Sequence, residues 1–289
     1  MTTEPVRASS EWLTMREAAD AAARATDLVE MIRPCLPTDR PLEIHDLGCG
    51  TGSMGRWLAP QLPGPQHWVL YDRDAELLAL VHDTQPDKGS DGSPVTVETR
   101  RRDVTRLDPG ELAGASLITA SALLDMMTEE ELRRFVAVCA RAGCAVLITL
   151  TVVGRVELTP EDPLDQRVTD AFNAHQRRAN GEGRRLGPDA VGAAVDGFAR
   201  VGRDVVIRPN AWQLGPHQRG LAAEWFTGWL AAACEQAPEL GAVAPAYARR
   251  RLDLAAAGQL FATVHHEDLF VRPQTSPFSP ERPARGCPG

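Results

Sequence analysis

Residues 44–52 read Ile-His-Asp-Leu-Gly-Cys-Gly-Thr-Gly, and this stretch decides the fold. The apolar residues before the glycines predict a short buried strand over 42–47, and the pattern after them predicts a helix over 53–62. Glycines at alternate positions allow positive φ and let a ligand lie close to the main chain. A strand that turns through such a loop into a helix presents N–H groups to an anionic ligand. The stretch therefore predicts a site for a nucleotide or an amino-acid cofactor, with the carboxylate of Asp46 beside it.

Strand and helix patterns alternate through the first half of the chain. The predicted strands are 42–47, 67–72, 95–100, 116–121 and 144–152, and the predicted helices are 53–62, 74–83 and 129–142. Thr128 and Glu131 form a capping-box pattern, which places the start of the last of these helices at residue 129. The alternation predicts an α/β fold with a doubly wound, mostly parallel sheet.

The second half of the chain departs from this alternation. A Ser-capped amphipathic helix is predicted before the sheet, at 10–34. After residue 153 the predicted helices are 163–178, 188–200, 219–236 and 244–257, and the predicted strands are 201–208 and 260–272. The segments 1–9 and 273–289 are predicted to be disordered, which leaves a single domain over 10–272.

Composition excludes several classes of function. The chain has 289 residues and a net charge of −8, so it lacks the basic surface that nucleic-acid binding normally needs. The sequence contains no apolar run of the roughly 18 residues that a membrane span requires, and we expect a cytoplasmic protein. Its six cysteines form no C-x-x-C pair, so neither a disulfide framework nor a zinc site is expected. Because Lys88 is the only lysine in the sequence, nearly all candidates for Schiff-base or Tyr-x-x-x-Lys chemistry are excluded.

Three aspartates, each placed near the end of a predicted strand, help to decide between ligands for the glycine loop. Residues 50–55 match G-x-G-x-x-G, the dinucleotide fingerprint, but such a match alone is weak. Asp46 precedes the glycines, Asp72 ends the second strand, and Asp103 follows the third. A carboxylate after the second strand suits ribose hydroxyls in a dinucleotide or an adenosine site alike. Asp103, followed by the small apolar Val104, suits the amine and the face of adenine.

With these aspartates, the motif Asp-Leu-Gly-Cys-Gly-Thr-Gly at 46–52 resembles that of class I S-adenosylmethionine-dependent methyltransferases, small-molecule branch, and the similarity covers about residues 40–153. The resemblance implies a Rossmann-like, seven-stranded sheet with an antiparallel last strand. It also implies a helical cap over 10–39, a cofactor-binding half over 40–153, and helical lid insertions over 154–200 and 209–259. The residues that it assigns to the cofactor are Asp46, Gly48, Cys49 and Gly50 for methionine, Asp72 and Arg73 for ribose, Arg102, Asp103 and Val104 for adenine, Ser121 under the sulfonium, and Arg16 and Arg24 for the methionine carboxylate.

Candidates for the acceptor side are fewer. Asp125, after the fourth strand, could orient the acceptor or take a proton, although a loop aspartate that caps local N–H groups fits equally. His175 could act as a base, but a surface histidine is the simpler interpretation. Trp12 and Trp212 are expected to wall the acceptor pocket.

Two pairs of residues in the second half of the chain are interpreted as structural. Trp225 and Trp229, four residues apart on a helix, are interpreted as core. His265 and His266 alternate across a strand, so a shared metal is not expected.

The predicted function is transfer of a methyl group from S-adenosyl-L-methionine to a small molecule, leaving S-adenosyl-L-homocysteine. Methyl transfer is an in-line displacement, which depends mainly on alignment in a dry site. O-methylation is the first expectation, with N- or C-methylation open, by a monomer or a homodimer that binds neither nucleic acid nor membrane. Two alternatives remain: a nicotinamide-dependent oxidoreductase, based on the glycine match, and a non-catalytic cofactor-binding scaffold.

Overall fold

A computed structural model of the chain describes residues 8–81, 84–180 and 183–274. The segments predicted to be disordered, 1–9 and 273–289, lie outside these residues apart from two positions at each inner end. Ser9, one of these positions, caps the first helix, because its hydroxyl accepts a hydrogen bond from the Trp12 N–H at 3.2 Å.

A seven-stranded sheet forms the centre of the described structure and confirms the predicted fold class. Its strand order is β3-β2-β1-β4-β5-β9-β8; neighbours from β3 to β5 run parallel, and β9 is antiparallel to both β5 and β8. The strands, including a two-stranded ribbon of β6 and β7, are β1 Leu42–Leu47, β2 Gln66–Asp72, β3 Val95–Arg101, β4 Leu117–Ser121, β5 Ala145–Thr159, β6 Ala179–Asn180, β7 Gly183–Arg184, β8 Val205–Leu214 and β9 Phe261–Val271.

Helices cover both faces of the sheet. They are α1 Ser10–Ala23, α2 Thr26–Ile32, α3 Ser53–Leu58, α4 Ala75–Ala79, α5 Glu129–Ala142, α6 Asp165–Gln176, α7 Ala190–Arg200, α8 Arg219–Gln236 and α9 Ala244–Ala256. One buried cluster joins α5 and α7 to the sheet, and a second joins α2, α3 and α4 to it. A third cluster lies among α1, α6, α8, α9 and the far halves of β5, β8 and β9. Among the described residues, no helix has the length and apolar character needed to cross a membrane.

Several boundaries differ from the sequence prediction. The helix predicted at 10–34 breaks at Arg24, whose backbone is extended, because the carboxylate of Asp268 accepts a hydrogen bond from the Ala25 N–H at 2.8 Å. Strand β5 continues to Thr159, inside the segment predicted as helical lid, because it keeps pairing with β9 up to Phe261.

Strand β8 begins at residue 205 rather than 201, after a turn in which Gly202 has a φ of 73°. It continues to Leu214, so Trp212 lies within the strand and not after it. Its pairing with β9 extends to Ala262 and holds this second half of the strand in the sheet.

Candidate active site

The glycine loop joins β1 to α3 with three residues of positive φ, at 74° for Gly48, 55° for Gly50 and 85° for Gly52. A Cβ on Gly48 would lie 3.0 Å from Leu123, and one on Gly50 would lie 3.1 Å from Leu13. Both the conformation and the packing therefore require glycine at these two positions.

The N–H groups of this loop are occupied within the protein. Those of Gly48 and Cys49 both donate to the Tyr71 carbonyl at 2.9 Å, and that of Gly52 donates to the Cys49 carbonyl at 2.8 Å. The Gly50 N–H donates to the Asp72 carboxylate at 2.9 Å. The prediction that the loop offers its N–H groups to an anion is therefore wrong for these four residues. A pyrophosphate would have to displace their present partners.

Asp46 is a buried carboxylate with one free oxygen. Its Oδ1 accepts a hydrogen bond from the Thr119 hydroxyl at 2.7 Å, whereas its Oδ2 has no partner among the residues that the structure describes. Burial raises the pKa of this carboxyl to about 7, and the charge of Arg24 opposes that rise. The group is therefore close to an even balance between neutral and ionised forms near neutral pH.

Arg24, at the end of α1, is the complementary cation. Its side chain is 3% exposed, and its Nη2 donates to the hydroxyls of Ser53 and Ser121 at 3.2 Å each. Its Nε and Nη1 are buried and have no partner in the described parts of the chain. A buried donor without a partner is costly in free energy. The unpaired nitrogens of Arg24 and the unpaired oxygen of Asp46 therefore fit a ligand that carries both a negative and a positive group.

The predicted ribose and adenine residues lie at the ends of the next strands. Asp72 ends β2, and its second oxygen accepts a hydrogen bond from the Asp74 N–H at 2.9 Å. Asp103 caps a short 3₁₀ turn, where its Oδ1 accepts hydrogen bonds from the N–H and the hydroxyl of Thr105. Arg102 stands beside Glu111, with 3.5 Å between Nε and Oε2. Both aspartates thus serve local structure while they border the site.

A cavity of about 1160 Å³ brings the predicted residues together. It is lined by every predicted site residue except Arg24, which lies behind Ser53 and Ser121: Trp12, Arg16, Asp46, Gly48, Cys49, Gly50, Asp72, Arg73, Arg102, Asp103, Val104, Ser121, Asp125, His175 and Trp212. Pockets for one small ligand usually measure about 300–1000 Å³. The cavity has room for a cofactor together with a second molecule.

Arg16 is held differently from Arg24. Its Nε and Nη2 donate to the Asp20 carboxylate at 2.9 and 3.1 Å, and its guanidinium lies 4.9 Å from the ring centre of Trp212. The indole N–H of Trp212 donates to the same carboxylate at 3.0 Å. The structure therefore places Arg16 with the predicted acceptor wall, and Arg24 with the glycine loop.

Asp125 and His175 both border the cavity but differ in surroundings. Burial raises the pKa of Asp125, the charges of Arg16 and Arg185 oppose the rise, and Oδ1 has no hydrogen-bond partner in the described structure. His175 is partly exposed and lies 3.1 Å from a carboxylate oxygen of Glu235. Asp125 thus has an oxygen free for a ligand, whereas His175 already has an anionic partner. Within the described residues, no group of three His, Cys, Asp or Glu side chains could hold a metal.

Comparisons with known proteins agree with this geometry. Residues 44–143 match the family described as a methyltransferase domain. In fold, the chain is similar to loganic acid methyltransferase, solved with S-adenosylhomocysteine, at 11% identity and a TM-score of 0.54 over 95% of this chain and 100% of that one. The matched residues include the glycine loop, Asp46, Asp72 and Asp103, so these lie in the part of the chain that is similar to a methyltransferase domain.

Two further solved structures align with the chain less closely. A cyclopropane synthase from Mycobacterium tuberculosis is 13% identical, with a TM-score of 0.46 over 86% of this chain and 84% of that one. An S-adenosylmethionine-dependent methyltransferase from Mesorhizobium loti is 18% identical, with a TM-score of 0.41 over 84% of this chain and 96% of that one. None of the curated proteins matches the sequence.

Several residues that line the cavity were not predicted from the sequence. Trp225 and Trp229 pack in the third buried cluster, as expected of core residues, but both also line the cavity. His266 is 3% exposed beside Trp212, and burial lowers its pKa to about 3, so it is neutral near pH 7. Arg185, which follows β7, borders the cavity, and its charge acts on Asp125. Of these residues, the sequence singles out Trp225 and Trp229 by their helical spacing. That spacing predicts that the rings are buried, but it does not predict that they border a cavity.

Proposed function

We propose that this domain transfers the methyl group of S-adenosyl-L-methionine to an oxygen atom of a small molecule. The observation that carries the proposal is the pair of buried, opposite charges at the glycine loop. Asp46 lines the cavity beside the glycine loop, and Arg24 is linked to that end of the cavity by its hydrogen bonds to Ser53 and Ser121. Each of the two side chains has polar atoms without a partner in the described structure. An α-amino acid bears the two charges that would complete them, and a nucleoside fits the carboxylates of Asp72 and Asp103 further along.

The proposed cofactor contacts follow from these open atoms. Arg24 would hold the methionine carboxylate through Nε and Nη1, and Asp46 would hold the ammonium through Oδ2. Because Gly48 and Gly50 have no side chains, the methionine part could lie directly against the main chain. Asp72 would hold the ribose hydroxyls, and Asp103 with Val104 would hold the adenine. When bound, S-adenosylmethionine supplies an electrophilic methyl group on a sulfonium.

The proposed role of Asp125 is to orient the acceptor and to take its proton. Its free oxygen borders the cavity, and its raised pKa makes it a better proton acceptor than an ordinary aspartate. Asp125 would take the hydroxyl proton of the acceptor as the acceptor oxygen gained the methyl group and the electrons of the carbon–sulfur bond stayed with sulfur. His175, bound to Glu235, is left with a supporting role at the cavity wall.

The two alternative functions have less support. The occupied N–H groups of the glycine loop disfavour a nicotinamide dinucleotide, whose pyrophosphate would need them. A scaffold without catalysis would bind the cofactor but leave the Asp125 oxygen without a purpose.

Calorimetric titration with S-adenosylmethionine, S-adenosylhomocysteine and NADH tests the proposal. We expect heat with both sulfur compounds and none with NADH. Arg24→Gln should weaken S-adenosylhomocysteine binding by about 10-fold or more, as for a lost charged hydrogen bond. Arg200→Gln is the matched control, because Arg200 is exposed and lies 3.9 Å from Asp196 at the surface. Binding of NADH alone, or equal affinity in the two variants, would contradict the proposal.

A further inference from the structure

Four of the six tryptophans in the chain line the same cavity. Trp12 and Trp212 contact each other at 6.2 Å between ring centres, and Trp225 and Trp229 are stacked at 5.4 Å with 20° between their planes. The two pairs come from different elements, α1 with β8 and α8 alone. Trp212 and Trp229 belong to the third buried cluster, and Trp12 and Trp225 pack against it. Indole rings are flat and largely apolar, and a planar aromatic ring packs well against them.

Residues that line the same cavity carry buried polar atoms without partners in the described structure, and these include acceptors and donors. Asp125 Oδ1, Asn173 Oδ1 and Gln176 Oε1 are acceptors, Arg185 Nε and Trp229 Nε1 are donors, and His266 Nδ1 can be either. The assignment of the Asn173 oxygen is fixed, because its Nδ2 donates to the Gly154 carbonyl at 2.7 Å. Buried polar groups normally have a partner, so a molecule in this half of the cavity is expected to supply both donors and acceptors.

Only some chemical groups can satisfy this set of atoms. A carboxylate only accepts hydrogen bonds and would repel Asp125, while an ammonium only donates and would repel Arg185. A hydroxyl donates one hydrogen bond and accepts others, so one hydroxyl can serve a donor and an acceptor together. Four of these atoms fall into two pairs. The charge of Arg185 acts on Asp125. Asn173 and Trp229 lie on α6 and α8, two helices that pack together.

From these observations we infer that the methyl acceptor is a planar aromatic compound with at least two hydroxyl groups, held between the tryptophan pairs. One hydroxyl lies at Asp125 and Arg185, and the other at Asn173 and Trp229. This inference rests on the proposed function, since it places the cofactor in the other half of the cavity. The hydroxyl at Asp125 is the one in position to be methylated.

Ligand series on the unaltered protein test this inference, with S-adenosylhomocysteine present at saturation. The probes are 2,7-dihydroxynaphthalene, 2-naphthol, 2-naphthoic acid and cyclohexane-1,4-diol, followed by tryptophan fluorescence and calorimetry. We expect the dihydroxynaphthalene to quench fluorescence and to bind tightest. Loss of one hydroxyl should weaken binding about fivefold, as for one hydrogen bond, and the aliphatic diol should neither bind nor quench.

Trp229→Phe keeps an aromatic ring and removes the indole N–H together with the five-membered ring that carries it. It should weaken the dihydroxynaphthalene about fivefold and bring its affinity close to that of 2-naphthol. Trp68→Phe, in the second buried cluster, is the matched control and should leave the ligand series unchanged. Should the variant fail to fold, the ligand series on the unaltered chain still decides.

The possible failures are distinguishable. Absence of S-adenosylhomocysteine binding would overturn the proposed function itself. Normal S-adenosylhomocysteine binding, together with equal or tighter binding of the naphthoic acid or the aliphatic diol, would overturn the inference about the acceptor and leave the cofactor site intact.

Discussion

Asp46 should make cofactor binding depend on pH in a way that an ordinary aspartate would not. Burial raises the pKa of its carboxyl from 3.8 to about 7, and the proposed ammonium contact requires the ionised form. Each pH unit below this pKa then costs about a factor of ten in affinity. Between about pH 7.5 and about pH 5.5, the binding of S-adenosylhomocysteine should weaken roughly 25-fold.

Calorimetry of the unaltered chain and of Asp46→Asn across this range measures the effect. The variant should bind about 10-fold or more weakly near pH 7.5, and its affinity should no longer change with pH. Asp103→Asn is the control, because it should weaken binding and keep the pH dependence. A flat profile for the unaltered chain, or the same slope in Asp46→Asn, would refute the assignment of the ammonium to Asp46.

The sign of the effect on stability is opposite to that on binding. A carboxyl whose pKa is raised by folding stabilises the folded form most below pH 4, and this contribution is lost as the pH rises to about 7. The ligand-free chain should therefore lose stability from Asp46 over this range, and Asp46→Asn should lack that loss. Denaturant unfolding at several pH values checks the expectation.

Two further predictions concern aspartates elsewhere in the structure. Asp125→Asn should lower turnover of a hydroxyl acceptor about 100-fold or more and leave S-adenosylhomocysteine affinity unchanged; an unaltered rate in single-turnover kinetics would remove Asp125 from the reaction. Asp268→Ala should reduce the free energy of unfolding by about 2 kcal/mol or more, because two buried N–H groups lose their acceptor. The exposed Asp196→Ala should change it by less than about 0.5 kcal/mol, and equal urea midpoints for these two variants would contradict the reasoning.

The sequence allowed accurate prediction where local signals decide the structure. The strand before the glycines, β1, lies where predicted, and α5 begins at Glu129 because the Thr128–Glu131 capping box forms. The predicted cofactor residues other than Arg24 also line one cavity, mainly because parallel strands end at the same edge of the sheet.

Long-range contacts explain what could not be predicted. The break after α1 depends on Asp268, which is 243 positions away from Ala25 in the chain. Arg185 reaches the cavity because its neighbour Leu186 donates a backbone hydrogen bond to Met127 at 2.8 Å. Helical spacing marked Trp225 and Trp229 as buried, but periodicity does not distinguish a ring packed in the core from one that borders a cavity.

The hydrogen bonds inside the glycine loop have a thermodynamic consequence for the ligand. Because the N–H groups of Gly48, Cys49, Gly50 and Gly52 are already bound within the protein, the loop is ordered before anything binds. A ligand that fits against it loses little affinity to the ordering of the backbone, which is the benefit of preorganisation. The same rigidity disfavours ligands that need those N–H groups, because such a ligand would have to break the hydrogen bonds at the end of β1 first.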